Sequence, residues 1–229
     1  MLKHLACIMD GNRRWAIKNG LIPSYGHKKG LEAVSVVVDF CLNKKIRYLS
    51  LYTFSVENLN RSTQEIVYLF EVLANQAVEE LAQFKQKSVN IRFIGDRSLF
   101  PKNVRPLCEK IEKETQECNE LYMVFLLCYG GTQEIIDTAK RIAIKVKKGD
   151  LHASDITIDV FENFLWTAGI PNPDLIIRTG GYRRMSNFLL FQGAYSELYF
   201  LDCLWPDITK TDLDLAVTYF NDCQRNFGQ

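Results

Sequence analysis

The sequence predicts an α/β fold, a mostly parallel six-stranded sheet flanked by helices, on two observations. Six short runs are β-branched or aromatic and nearly continuous in apolar content, as strands covered on both faces must be. Longer stretches with helical periodicity lie between them. The 229 residues suffice for one well-filled core, so a single domain over 1–229 is expected.

Residues 4–9 (HLACIM) form a buried strand that stops at Asp10-Gly11, and a helix over 28–42 comes next. A strand over 48–54 precedes a helix over 63–85, where Ser62 and Glu65 make a capping-box pattern. After a strand over 90–94, Pro101 suits the first position of a helix over 101–118. A strand over 122–128 leads to a helix over 133–148, with Gly149 placed to end it. A helix over 159–166, strands over 175–178 and 198–201, and a helix over 212–225 complete the chain.

Lys and Arg number 28 against 27 Asp and Glu, a net charge of +1, so no global field gathers nucleic acid. The seven cysteines contain no CxxC pair, which suits free core thiols in a reducing compartment. Three histidines exclude a His-rich metal cluster. The longest apolar run, 121–129, is strand-sized, and Asp10 interrupts the first apolar stretch too early for a signal peptide. A cytoplasmic protein is expected.

In parallel sheets, ligands collect beyond the carboxyl ends of the strands. The first end carries Asp10-Gly11-Asn12-Arg13-Arg14, and the second Ser55-Val56-Glu57-Asn58 with Arg61 behind. The fourth carries Tyr129-Gly130-Gly131-Thr132, and the fifth Arg178-Thr179-Gly180-Gly181-Tyr182-Arg183-Arg184-Met185-Ser186. Glycine lets backbone N–H groups approach an anion, arginine grips phosphate oxygens bidentately, and a helix N-terminus after Gly11 favours a bound phosphate. Singly, these features read as a solvated face, a turn and, for His27, a surface histidine. Jointly they read as an anion site with room for more than one phosphate group. No GxGxxG, GxxxxGK[ST] or DDxxD pattern is present.

IMDGNRRWA, YGHKKG, FSVENLNR, IRTGGYRRMSNFLL and AYSELYF…WPD together resemble the cis-prenyltransferases, the family of undecaprenyl diphosphate synthase, over residues 4–228. The resemblance implies condensation of an allylic diphosphate, usually farnesyl diphosphate, with successive isopentenyl diphosphates into a cis-polyprenyl diphosphate lipid carrier. It implies that Asp10 holds Mg²⁺ with Glu197 as companion ligand. Gly11, Asn12, Arg13, Arg14 and His27, with Trp15 alongside, would cradle the allylic diphosphate. Arg178, Arg184, Met185 and Ser186 would form the isopentenyl diphosphate site. Ser55, Val56, Glu57, Asn58 and Arg61 would close over the reacting carbons. Asn58 and the departing diphosphate are alternative proton acceptors.

The resemblance also implies a homodimer, no nucleic acid, and transient contact with the inner membrane surface for product release. The helix over 63–85 has an apolar arc wider than one core-facing stripe, which fits sheet packing plus a dimer contact or the wall of an apolar tunnel beside the sheet. Leu121, Met123 and Phe125 are candidates for the tunnel's far end. Arg13, Pro23, Leu59, Tyr182 and Asn226 depart from the commoner family pattern. A silent partner subunit is the rival reading, and retention of Asp10 and Arg178 favours activity.

Overall fold

The computed structural model describes residues 1–60 and 63–224. Arg61, the capping pattern that starts at Ser62, the helix end expected at Arg225, and Asn226 lie outside them. The strands are β1 (His4–Ile8), β2 (Tyr48–Ser55), β3 (Val89–Ile94), β4 (Leu121–Tyr129), β5 (Leu175–Arg178) and β6 (Glu197–Phe200). They form one six-stranded sheet in the order β3-β4-β2-β1-β5-β6, with every pairing parallel. The helices are α1 (Asn12–Lys18), α2 (Pro23–Lys44), α3 (Thr63–Gln86), α4 (Arg105–Thr115), α5 (Gly131–Lys148), α6 (Ile158–Glu162) and α7 (Lys210–Asp222).

All five residues of β1 are buried because successive side chains enter two different cores. Leu5 and Cys7 join the larger core with Val34 and Val37 of α2, Phe70 of α3, Ile111 of α4 and Leu213 of α7. Ala6 and Ile8 join the smaller core with Phe188 and Leu189. Neither face of the strand meets water, which explains its unbroken apolar run. From β1 the chain builds outward through β2 on one side, then crosses to β5 on the other. The strand order therefore reverses between β1 and β5, and a crevice opens at their carboxyl ends. The loop after β5 is anchored from behind by buried Glu134, which accepts hydrogen bonds from Tyr129 Oη, from Thr167 N and Oγ1, and from Gln192 Nε2.

Among the helix limits that differ from expectation, three starts have a local reason. Helix α2 starts at Pro23 rather than 28, because proline's missing N–H costs nothing in a first turn. Helix α4 starts at Arg105 rather than 101 because Pro106 must itself lie in the first turn; a start at Pro101 would put it in the interior. Helix α6 ends at Glu162, and turns come after it. Helix α7 starts at Lys210 because Thr209 and Asp212 form a capping box.

His4 is buried at the far end of β1, where its Nδ1 lies 2.6 Å from the Pro171 carbonyl and its Nε2 2.9 Å from Ser50 Oγ. Burial lowers its pKa from 6.5 to about 4, outweighing the opposing hydrogen bond to Pro171 and the charge of Asp174. Between these values the unfolded chain binds the proton and the folded one does not, so stability falls as pH drops from 6.5 toward 4. Denaturant titrations should show the protein losing about 3 kcal/mol more over that window than His4→Gln does. Parallel losses would contradict a neutral buried imidazole.

Candidate active site

Asp10 stands just past β1, and its main chain is locked to the end of β5. Its N–H donates to Thr179 Oγ1 at 3.1 Å, and Thr179 Oγ1 donates to its carbonyl at 2.7 Å. The carboxylate is shared between two guanidiniums, with Oδ1 3.1 Å from Arg14 Nη2 and Oδ2 3.0 Å from Arg178 Nη2. Arg178 is 4% exposed, and its Nη1 also donates to the Arg184 carbonyl and to Ser186 Oγ at 2.8 Å. Arg14 Nη1 donates to the Gly180 carbonyl at 2.8 Å. Gly180 permits this approach, since its φ is +87° and a Cβ there would lie 2.4 Å from Arg14 Nη2.

A cavity of about 680 Å³ opens beside this cluster. Its polar end is lined by Asp10, Asn12, His27, Arg178, Arg184 and Ser186, and its apolar end by Leu31, Val34, Leu69, Val72 and Phe125. One helix face joins the two ends. His27, Gly30, Leu31 and Val34 recur at the spacing that places residues on one side of α2. Arg178 Nε and Asn12 Oδ1 are buried without hydrogen-bond partners among the described residues. That state is costly unless an incoming group relieves it.

The loop after β2 also reaches the cavity through Ser55, Glu57 and Asn58. Asn58 Oδ1 accepts the Ser55 N–H at 3.1 Å. Asn187 Nδ2 donates to Glu57 Oε1 at 2.7 Å, and Asn187 Oδ1 accepts from Thr132 N and Oγ1 at 2.8 and 2.9 Å. Partial burial opposes ionisation of Glu57, but hydrogen bonds from its own backbone, Asn187 and Ser55 outweigh it and lower its pKa.

Sequence reasoning thus placed Asp10, Asn12, His27, Ser55, Glu57, Asn58, Arg178, Arg184 and Ser186 on one cavity. Gly11, Arg13, Arg14, Trp15, Val56 and Met185 do not line it. Gly11 instead turns the chain into α1 at a φ of +116°, Arg13 is exposed, and Trp15 Nε1 donates to Asp207 at 2.6 Å. Val56 lies in the 3-10 turn after β2, and Met185 packs on the smaller core.

Glu197 does not line this cavity. It pairs with Leu175 at the start of β6, three rows before the Arg178–Phe200 pair, hence about 10 Å along the strand from the crevice. Its carboxylate accepts a hydrogen bond from the Cys223 thiol. Leu121 and Met123 are fully buried and do not line the cavity, whereas Phe125 does. On α3, Leu69 and Val72 line the cavity, Phe70 and Leu81 are buried in the core, and Val67 and Val78 are exposed. The side chains of Leu73 and Ala77 fall outside the described residues. Thr179 and Asn187, whose side chains tie together the loops around the cavity, are not among the residues expected from the sequence. Asn187 had a signal, because its φ of +65° is one asparagine tolerates.

Among the described residues no three His, Cys, Asp or Glu side chains converge on a metal-binding point. The hard oxygens on the cavity include the Asp10 and Glu57 carboxylates and the partnerless Asn12 Oδ1. This sparse set fits Mg²⁺, which keeps waters and takes ligands from substrate phosphates rather than from an all-protein cage.

A family model described as "Putative undecaprenyl diphosphate synthase" matches residues 8–228. The chain is 39% identical over 99% of its length to a geranylgeranyl-diphosphate-specific tritrans,polycis-undecaprenyl-diphosphate synthase of Methanopyrus kandleri, covering 84% of that protein. It is 40% identical over 99% of its length to a (2E,6E)-farnesyl-diphosphate-specific ditrans,polycis-undecaprenyl-diphosphate synthase of Legionella pneumophila, covering 95% of it. Among solved structures, lavandulyl diphosphate synthase from Lavandula x intermedia, in complex with dimethylallyl diphosphate, superposes with a TM-score of 0.95 at 30% identity, covering 100% of this chain and 98% of that one. A probable undecaprenyl diphosphate synthase from Campylobacter jejuni gives 0.83 at 33% identity, covering 100% and 99%.

Gly149 also has a positive φ, +77°, but open space around it. Gly149→Ala should therefore cost only backbone strain, about 1 kcal/mol, whereas Gly180→Ala should cost about 1–3 kcal/mol more by displacing Arg14. Chemical denaturation of both variants checks this. Equal losses would contradict the close approach at Gly180.

Proposed function

We propose that this chain, which belongs to the undecaprenyl diphosphate synthase family and is a cis-prenyltransferase, extends farnesyl diphosphate with isopentenyl diphosphate units into a long cis-polyprenyl diphosphate such as undecaprenyl diphosphate. The observation that carries this reading is the continuity of one cavity from the Asp10–Arg178 cluster to the apolar wall of Leu69, Val72 and Phe125. A headgroup with a growing hydrocarbon tail has that polarity. Each buried methylene stabilises the tail by about 0.8 kcal/mol, so the chain is held rather than left in water.

The crevice provides for two diphosphates. His27 on the cavity wall, and Arg14 reached past Asp10 just outside it, would hold the allylic diphosphate. Arg178, Arg184 and Ser186 hold isopentenyl diphosphate, and Ser186 Oγ keeps its own proton to donate because it accepts from Arg178. Asp10 and Asn12 would hold Mg²⁺, which supplies charge neutralisation for the departing diphosphate. Guanidiniums fixed in advance stabilise that developing charge without reorganising. Asn58 already accepts the Ser55 N–H, and an amide is a far weaker base than a diphosphate oxygen. The departing diphosphate therefore takes the proton, and Asn58 shapes the loop. Among the described residues no helix is long and apolar enough to cross a membrane. A homodimer completes the reading.

Incubation with Mg²⁺, labelled isopentenyl diphosphate and each allylic starter, from dimethylallyl to geranylgeranyl diphosphate, tests it. Farnesyl diphosphate should be the preferred starter, and Asp10→Ala should lower turnover by about 10²–10³-fold. Equal product from both proteins would refute the role of Asp10. Val72→Phe narrows the apolar end, so chromatography should show shorter products; an unchanged length distribution would remove the tail from this cavity.

A further inference from the structure

We propose that Tyr182 is a positioning residue of the diphosphate site, its ring gathering the guanidiniums of Arg14, Arg178 and Arg184 into one array before an anion arrives. The inference rests on the reading of the cavity as a diphosphate site. The Tyr182 centroid lies 4.3 Å from the Arg184 guanidinium carbon, 4.8 Å from that of Arg14 and 6.0 Å from that of Arg178. Three like charges this close repel, and the exposed Arg14 and Arg184 would otherwise swing away from buried Arg178 into water. Asp10 has only two oxygens to offset them, and Arg14 and Arg178 take one each. Among the described residues the Arg184 side chain has no ion pair, and the face of the Tyr182 ring is its compensation.

The ring stands behind the arginines rather than in the pocket. Arg178 and Arg184 line the cavity, and Tyr182 does not. Nor is the ring filling a core, since Tyr182 is 44% exposed. Its backbone is fixed from one side. The N–H groups of Gly180 and Gly181, both at positive φ, donate to the carbonyls of Cys203 and Leu201 at 2.7 and 2.9 Å. A pinned turn thus presents a neutral π-face to three cations. Because the ring carries no charge, it orders the guanidiniums without neutralising them, unlike a carboxylate at that place. Asp10 offsets the charge of Arg14 and Arg178 only in part, and the Arg184 guanidinium on the cavity wall is left for the substrate. Among the described residues the Tyr182 hydroxyl has no hydrogen-bond partner, so the ring rather than the hydroxyl carries the effect.

Calorimetric titration of inorganic pyrophosphate in the presence of a chelator separates these contributions. Tyr182→Phe should bind within about twofold of the native protein, and Tyr182→Leu roughly tenfold more weakly. In turnover assays Tyr182→Leu should raise KM for isopentenyl diphosphate while kcat stays near its native value, and Tyr182→Phe should restore KM. Native-like binding by Tyr182→Leu, or equal weakening in Tyr182→Phe, overturns the inference alone. No binding by the native protein overturns both it and the diphosphate reading.

Discussion

A single carboxylate shared by two guanidiniums across the β1–β5 junction organises this molecule. Asp10 reaches Arg14 four residues ahead on α1 and Arg178 at the end of the neighbouring strand. The Thr179 hydroxyl ties the two backbones together at the same level. The strand-order reversal opens the crevice, and this triad gives the crevice its charge. Asp10 keeps 28% of its side chain in water, so its ion pairs are screened and replaceable. Charge-assisted bonds from arginine to a diphosphate contribute about 1.5–3 kcal/mol each, enough to replace the screened pairs with Asp10 while the guanidiniums stay in place.

The second constraint is that a charged headgroup and a hydrocarbon chain must be held by one continuous wall. Helix α2 solves this with a change of chemistry along one face. His27 lies near the anion end, Gly30 gives close contact with Asn12, and Leu31 and Val34 begin the apolar stretch. A Cβ on Gly30 would lie 2.3 Å from Asn12 Oδ1, so the polar end depends on that small residue. The Asn187 side chain links the Glu57 loop to the start of α5 and completes the rim.

Much of this was legible in the sequence because parallel strands buried on both faces have continuous apolar runs, and the loops leaving those runs gather at one edge of the sheet. Asp10, Ser55, Glu57 and Arg178 could be assembled by that rule alone. Glu197 could not, because its place depends on the register of β6 against β5, which no local pattern encodes. The tunnel residues divided for a related reason. Leu121, Met123 and Phe125 share one face of β4, but only Phe125 reaches the cavity, since depth along a strand is set by the helices above it. Helix starts failed where one proline masked another, as at Pro101 and Pro106. The grouping of three arginines about Tyr182 depends on a glycine turn whose direction only the folded backbone reveals.

A crystal structure with farnesyl thiodiphosphate and Mn²⁺, phased to show the metal by anomalous scattering, tests the central claim most directly. The expected result is a metal peak on Asp10 bridging the diphosphate, with the farnesyl chain running past Leu31 and Val34 toward Val72. A metal at Glu197, or a chain lying outside the cavity, would contradict the account.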